Sequence, residues 1–415
     1  MIKETAQREF AVDVIRKLRD AGYVALFAGG CVRDLLLQRK SKDFDVATTA
    51  RPDQVRQIFG HKRTLAVGAS FGVIVVVGPR DVGHVEVATF RTEGEYLDGR
   101  RPESVAFSTP EEDAKRRDFT INGMFFDPID ERVFDFVGGE ADLHARTVRA
   151  IGNPWDRMCE DKLRMLRAVR FTATLQFTLD PATADAIRQM SAQLVVVSAE
   201  RITQELKRML IDDHRRCAIE LTSDLGLLPV IFPELLPDRQ REPWSLTMTR
   251  LEQLRQPSFE LSLAALLKSL PAKPMVHDVC RRLKLSNDEV DRVVWLVQHQ
   301  ADLNDAPCLS LAALKRCLAH PYHEDLLLLM DADRRATGSG SQAYDFCRQF
   351  LLEASPSAID PPYFVTGDDL IELGLRPSPR FKQVLEAIRD AQLNEEIDSR
   401  EAALALVKSD WINSI

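Results

Sequence analysis

Nowhere in the 415 residues does an apolar run approach the ~18 to 20 residues that a membrane-spanning helix requires. The opening stretch, MIKETAQREFAVDVIRKLRD, lacks the apolar centre of a secretory leader and reads as a charged amphipathic helix. These absences argue for a cytoplasmic chain with no membrane partner. Paired cysteine is missing too: Cys31, Cys159, Cys217, Cys280, Cys308, Cys317 and Cys347 are scattered, odd in number and without CxxC or Cys/His ligand spacing. They are expected as reduced thiols, mostly in the core, which argues against a disulfide framework and against structural zinc. Excess positive charge is also lacking. A net charge of -8 speaks against an overall basic coat, although eleven Lys/Arg against eight Asp/Glu between Arg157 and Arg216 leave room for one local basic face. The chain carries no internal repeat and no long low-complexity tract.

What is present is enough apolar residue, 45%, to bury a real core across about two to four domains. The first 140 residues or so alternate strand-like and helical runs: YVALFAGG, CVRDLLLQ, DFDVAT, then PDQVRQIFG with proline at a helix start. GVIVVV and HVEVATF follow, two β-branched strands parted by GPRDVG, a hairpin signal. Beyond residue 150 the strand signal fades and helical periodicity takes over, as in PATADAIRQM, AERITQELKRMLI and DEVDRVVWLVQHQ. The expected class is α+β: a small mixed sheet with helices, then an all-α remainder. Proline or Gly/Ser clusters mark linkers near residues 229 to 244, 334 to 342 and 355 to 364.

In LFAGGCVRDLLLQRKSKDFDVAT an apolar strand runs into Gly29-Gly30, a helix opens, and a second strand carries Asp43 and Asp45 one residue apart. Alternation along a strand places both carboxylates on one face. Two hard oxygen donors so placed suit Mg²⁺, which keeps open positions for phosphates and water. The glycines let backbone N–H groups approach a triphosphate, and Arg33 adds positive charge in the first helical turn. A lone DxD is commonly a solvated loop; with the strand, the glycine pair and Arg33 before it, the metal reading is favoured. Glu86, on a strand two positions after His84, fits a third carboxylate near the metal and fits an ordinary surface position equally well.

This GG, VRD and DxD order resembles the signature of polymerase-β-like nucleotidyltransferases. GGCVRDLLL…DFDVATTARPDQV, VEVATFRTEGEYLDGRRPESVAF, EEDAKRRDFTINGMFFDP, EDKLRMLRAVRF and ERITQELKRML resemble, in order, the motifs of class II tRNA nucleotidyltransferases and the related bacterial poly(A) polymerases. The closing VTGDDLIELGLRPSPRFKQVLEAIRDAQLNEEIDSR is similar to the tail of that family. The resemblance implies a head and palm over residues 1–140, a helical neck with a nucleotide-selecting template over 141–228, a degenerate HD-like helical body over 229–354 and a tRNA-binding tail over 355–415. It implies Mg²⁺ on Asp43 and Asp45, CTP and ATP as substrates, the tRNA acceptor arm and 3′ end as partner, and pyrophosphate as the leaving group. Oligomeric state is left open.

In KRRDFTING, ahead of an expected apolar helix, the resemblance assigns Arg117 and Asp118 to the ribose and its 2′-OH. Asp118 also fits a simple helix cap. In EDKLRMLRAVR, Asp161 and Arg164 stand three apart, neighbours on one helix face, with Arg167 and Arg170 continuing the ridge. An acceptor beside a guanidinium donor matches the amino group and ring nitrogen that cytosine and adenine share, and mismatches G and U. By resemblance this is the protein template, Arg167 and Arg170 adding nucleotide contacts; alone, the same spacing describes surface salt bridges. Glu160 reads as the start of that helix. ERITQELKRML is assigned a bracing role.

Departures from relatives sharpen the expectation. An HD phosphohydrolase needs a His-Asp pair after LSLAALL, where Lys268-Ser269 stand; His277-Asp278 nine residues on reads as chance. Poly(A) polymerases carry a basic pair where Ala69-Ser70 stand here, which favours tRNA. The stretch RTEGEYLDGRRPESV, with Arg91, Arg100 and Arg101, resembles the flexible loop that CC-only enzymes lack. A full CCA-adding activity is therefore expected, with A-only addition or poly(A) synthesis as alternatives and a noncatalytic RNA-binding protein behind them.

Overall fold

The computed structural model describes residues 2–41, 43–68, 72–80, 82–93, 105–235, 242–375 and 379–412. The chain divides into two compact units, Met1–Pro233 and Glu234–Ile415. Ala69-Ser70, Arg100 and Arg101 lie outside the described residues.

In the first unit the strands are β1 (Ala25–Ala28), β2 (Asp45–Thr48), β3 (Thr64–Gly68), β4 (Val73–Val77), β5 (His84–Thr89), β6 (Arg91–Glu93), β7 (Val105–Phe107), β8 (Phe125–Asp127), β9 (Arg132–Phe134), β10 (Thr147–Val148) and β11 (Thr178–Leu179). The main sheet runs β3-β4-β5-β2-β1-β8-β9, and β6 pairs with β7 apart from it. Only β2 and β5 pair in parallel, Val46 opposite Val87; the other neighbours are antiparallel, so the sheet is mixed as expected. The GPRDVG hairpin joins β4 to β5 in register Val77↔His84.

The unit's helices are α1 (Ile2–Asp20), α2 (Gly30–Leu36), α3 (Pro52–Phe59), α4 (Pro110–Lys115), α5 (Gly139–His144), α6 (Pro154–Glu160), α7 (Leu163–Leu175), α8 (Pro181–Met190), α9 (Ala199–Leu210), α10 (Arg215–Asp224) and α11 (Leu228–Ile231). Pro52 opens α3, where its missing N–H costs nothing. One core cluster joins Leu26 and Ala28 of β1, Ala47 of β2, Phe90, Ala114 of α4 and Phe125 of β8. It locks the strands bearing the candidate site to α4. From β10 onward the chain is helical but for the two-residue pair β10–β11, and α7 packs against both α9 and α10.

Three local expectations change. Strand β2 begins at Asp45, so Asp43 stands in the coil just before it. Phe44 is buried between two exposed aspartates, so the two-residue alternation persists through the extended entry. The apolar helix expected after Asp118 is a single 3₁₀ turn, Thr120–Asn122. Gly123 ends it: a Cβ there would meet Val137 at 2.6 Å, and the chain goes straight into β8. Finally, EDKLRMLRAVR is not one helix. α6 stops at Glu160, Asp161 is extended (φ −143°, ψ 107°), and α7 starts at Leu163.

The second unit is helical throughout its described residues: α12 (Trp244–Gln253), α13 (Phe259–Leu267), α14 (His277–Arg282), α15 (Asn287–His299), α16 (Leu311–Leu318), α17 (His323–Thr337), α18 (Gln342–Glu353), α19 (Pro356–Ile359), α20 (Gly367–Glu372), α21 (Pro379–Leu393) and α22 (Arg400–Val407). A separate apolar cluster, including Val365, Leu370, Val384, Ile388, Ala403 and Val407, holds its C-terminal helices together. Four of the seven cysteines, Cys31, Cys280, Cys317 and Cys347, are buried, and all seven are free.

Candidate active site

A cleft of about 1140 Å³ in the first unit is lined by Gly29, Gly30, Arg33, Asp43, Asp45, Arg117, Asp118, Asp161, Arg164, Arg167 and Arg170. Every residue assigned from sequence to metal or nucleotide lines it, while Glu86, the candidate third carboxylate, does not. At the floor, Gly29 turns from β1 into α2 with φ +72°, and a Cβ on it would sit 3.1 Å from Arg117 Nη1. Only glycine serves both conditions. Arg33, buried in the first turns of α2, donates through Nη1 to Asn122 Oδ1 (2.8 Å) and through Nε and Nη2 to Asp34 Oδ1 (2.9 and 2.7 Å).

Asp45 has its carboxyl pushed up to about 6, first by loss of hydration in the cleft, then by Glu86 and Asp43, with Arg117 opposing. Desolvation is the largest cause although the residue keeps exposed surface, because its carboxylate lines the cleft. Glu86 is one residue before the Val46↔Val87 pairing, on the same exposed side of the sheet as Asp45. It is felt by Asp45, yet no group of three His, Cys, Asp or Glu poised around a metal position occurs among the described residues.

Asp118, 8% exposed, joins the floor to the neck. Its Oδ1 accepts from Phe119 N (2.8 Å) and Asn122 Nδ2 (3.1 Å), and its Oδ2 accepts from Arg167 Nε (2.7 Å). Burial pushes this carboxyl up, but the Arg167 charge, the hydrogen bonds from Asn122 and Arg167, and Arg164 outweigh it and hold it at about 2. The side chain bonds the N–H of its own neighbour rather than capping an α-helix, since none follows.

The break at Asp161 reshapes the expected ridge. Asp161 Oδ1 accepts from Leu163 N (3.0 Å), the first residue of α7, and from Arg201 Nη1 (3.1 Å); Oδ2 accepts from Arg201 Nη2 (2.6 Å). Arg164, 7% exposed, donates Nη1 to the Arg157 carbonyl (3.0 Å) and to Glu160 Oε2, and Nη2 to the Arg116 carbonyl (3.1 Å). Glu160 is thus a holder of Arg164, with Arg157 on the same Oε2 (2.9 Å). A carboxylate accepts about four hydrogen bonds and a guanidinium donates five. Among the described residues Asp161 retains one lone pair on Oδ2, while Arg164 retains its Nε–H and one Nη2 proton. One acceptor and adjacent donors remain, on groups fixed by others.

Along α7, Arg170 Nε donates to Glu205 Oε2 (2.5 Å), on α9. The guanidiniums of Arg33, Arg167 and Arg170 all lie over the ring of Phe171, at 5.2, 5.2 and 4.1 Å from its centroid. Cation–π attraction and the carboxylates of Asp34, Asp118 and Glu205 offset the repulsion of three like charges. Sequence reasoning missed three supporting residues: Phe171, Asp113 beneath Arg116 and Arg117, and Arg201 as the direct partner of Asp161. Asp113 was visible in principle, since it stands three and four residues before the two arginines, the spacing of neighbours on a helix.

Residues 25–149 match the Poly A polymerase head domain and residues 176–238 the probable RNA and SrmB-binding site of polymerase A. Over 398 residues the chain is 46% identical to the CCA-adding enzyme of Bacillus subtilis (strain 168), covering 94% of this chain and 95% of that one. It is 34% identical over 426 residues to the CCA-adding enzyme of Streptococcus gordonii, covering 98% of each. The chain belongs to the CCA-adding enzyme family. The crystal structure of the Bacillus stearothermophilus CCA-adding enzyme in complex with CTP superposes with a TM-score of 0.80 at 30% identity, covering 98% of this chain and 99% of that one. The Thermotoga maritima CCA-adding enzyme complexed with tRNA shares the fold at a TM-score of 0.65 and 18% identity, over 97% and 95% of the two chains.

In the second unit, where an HD phosphohydrolase would carry His-Asp, Lys268 Nζ meets Asp333 Oδ2 at 2.7 Å. The fully buried Arg250 donates to Asp333 Oδ1 (2.7 Å) and to both oxygens of Glu242 (2.7 and 2.9 Å). Both of these carboxylates are taken up by the cations of Arg250 and Lys268. His277 and Asp278 face one another at 3.4 Å and stand exposed, without further ligands among the described residues.

Proposed function

We propose that this chain is a cytoplasmic CCA tRNA nucleotidyltransferase, transferring CMP and AMP from CTP and ATP to the 3′ end of tRNA without a nucleic-acid template and releasing pyrophosphate. One observation carries the reading: the free acceptor on Asp161 and free donors on Arg164 line the same cleft as the carboxylates of Asp43 and Asp45. A base whose amino group meets Asp161 Oδ2 and whose ring nitrogen meets Arg164 is cytosine or adenine. G and U present the opposite polarity and leave both groups unpaired, a penalty large enough for discrimination.

The donor set fits a divalent cation. Asp43 and Asp45 are hard oxygen ligands, and the crowding by Glu86 that raises Asp45 is what a bound cation relieves. We assign Mg²⁺ to Asp43 and Asp45. When bound, it supplies Lewis acidity to the reacting phosphate and offsets the charge of the departing pyrophosphate. Arg33 and the glycine turn hold the triphosphate, Arg33 keeping one proton each on Nη1 and Nη2 to donate. Arg117 and Asp118 hold the ribose. Arg167 and Arg170, anchored by Asp118 and Glu205, present their remaining N–H groups to the nucleotide. The kinship with an enzyme solved with CTP supports this placement. Residues 1–140 serve as head and palm and 141–228 as neck; 229–354 and 355–415 grip the acceptor arm.

The test offers tRNAs ending before CCA, after C and after CC to the purified protein with each nucleotide in turn. Stepwise C, C and A addition is expected. Extension of the CC-ended tRNA alone would reassign the chain to A-addition, and long A tails would reassign it to poly(A) synthesis.

A further inference from the structure

Asp113 lies in the first turn of α4, 1% exposed, and every hydrogen bond to its carboxylate among the described residues comes from a residue beside the cleft. Its Oδ2 accepts from Arg117 Nε (3.2 Å) and Nη2 (3.0 Å). Its Oδ1 accepts from Arg116 Nε (2.8 Å) and Nη2 (2.7 Å), and from the Arg91 backbone N (3.2 Å). These bonds engage one edge of the Arg117 guanidinium. The remaining Nη1 donates to the Asn122 carbonyl (3.2 Å) and is the group that faces Gly29. Phe125 closes the flat face, its centroid 4.8 Å away. The backbone of Arg116 meanwhile holds the other end of the nucleotide site, because its carbonyl accepts from Arg164 Nη2 at 3.1 Å.

The neighbouring Ala114 belongs to the core cluster that contains Ala28, next to the glycine turn, and Ala47 of β2. The carboxylate is therefore fixed to the strands that lead to Gly29 and Asp45, and two arginines are fixed to it. We propose that Asp113 is a positioning residue that sets nucleotide selectivity at both ends of the substrate, aiming Arg117 at the sugar and, through the Arg116 backbone, holding Arg164 in register with the base. It touches no substrate atom itself. This rests on the assignment of Arg117 to ribose and Arg164 to base made above.

Asp113→Asn keeps the shape and removes the charge, so Arg116 and Arg117 lose their shared counter-ion and each can swing. Loss of hydrogen bonds to charged groups predicts a rise in KM for CTP and ATP of about 10- to 100-fold with a smaller change in kcat. Preference for NTP over dNTP and for C and A over G and U should fall together, each by about tenfold. Combined with Arg117→Met, Asp113→Asn should add little to the loss of sugar preference, since both act on one contact. Binding of tRNA and the melting temperature give the control for folding. A variant that melts lower but keeps both preferences within about twofold of the parent overturns the proposal. So does full additivity with Arg117→Met. Should Asp113→Asn fail to fold, Asp113→Glu, which retains charge but displaces it by one methylene, must shift the same two preferences, and unchanged preferences again overturn it. Absence of C or A addition by the unmutated protein would instead refute the functional reading.

Discussion

Replacing Arg201 with methionine isolates the contact on which the proposed base choice depends most directly. Methionine keeps length and apolar bulk while deleting both N–H donors to Asp161, at 3.1 and 2.6 Å. The pair is partly buried, with 22% and 17% of the two side chains exposed. Charge-assisted hydrogen bonds in such settings contribute about 1.5 to 3 kcal/mol, a factor of about 10 to 150. Asp161 would retain the Leu163 N–H through Oδ1, so the start of α7 should keep its place while the carboxylate rotates about that bond. Loss therefore belongs to selectivity. Measured as kcat/KM for each of the four nucleotides on a tRNA ending before CCA, the preference for C over U and G should fall about 10- to 100-fold, with tRNA affinity unchanged. Asp161→Ala should lose at least as much, and Arg201→Met added to it should cost no more. Undiminished selectivity in Arg201→Met, or additive losses in the double variant, would refute the chain of argument from Arg201 through Asp161 to the base.

The remaining predictions concern other parts of the molecule. Asp43→Asn and Asp45→Asn should each abolish addition of every nucleotide while leaving tRNA binding intact in a filter or mobility assay; selective loss of one nucleotide would contradict a shared metal site. Asp118 is held at about 2 in the fold against 3.8 ordinarily, so it stabilises the native state by on the order of 2 kcal/mol above pH 4, an effect lost as pH falls towards 2. The stability gap between the parent and Asp118→Asn, from denaturant titrations, should accordingly narrow by about 1 kcal/mol between pH 6 and pH 3. Arg250→Met should destabilise the second unit by about 3 to 5 kcal/mol, because Glu242 and Asp333 lose the fully buried cation they share; a shift below about 1 kcal/mol in calorimetry would show the network to be dispensable.

How far the sequence alone reached depends on whether the deciding interaction is local. The strand, glycine turn and paired aspartates were legible because period-two alternation and a positive-φ glycine are properties of a few adjacent residues, and Phe44 buried between Asp43 and Asp45 follows that rule even where the ladder has not begun. EDKLRMLRAVR was misread as one helix because apolar spacing continues across Asp161 with no proline or glycine to mark the break. An aspartate is a good cap, yet nothing in the string announces that this one turns its side chain to Leu163 N instead of joining a ridge with Arg164.

The consequence is chemical. On a continuous helix Asp161 and Arg164 would face each other as an i,i+3 pair and spend their hydrogen bonds on one another. Separated by the break, each is satisfied elsewhere: Asp161 by Arg201, forty residues on, and Arg164 by Glu160 and two backbone carbonyls. Holding each group with partners that are not the other leaves an acceptor and a donor edge, which in the proposed reading a base completes. The proposed template follows from where the charges find partners: Arg164 is held by Glu160 across the break, and Asp161 by Arg201 on α9. Arg201 and the Arg116 carbonyl, forty and forty-eight residues away from the groups they hold, are the part that pattern and propensity could not supply.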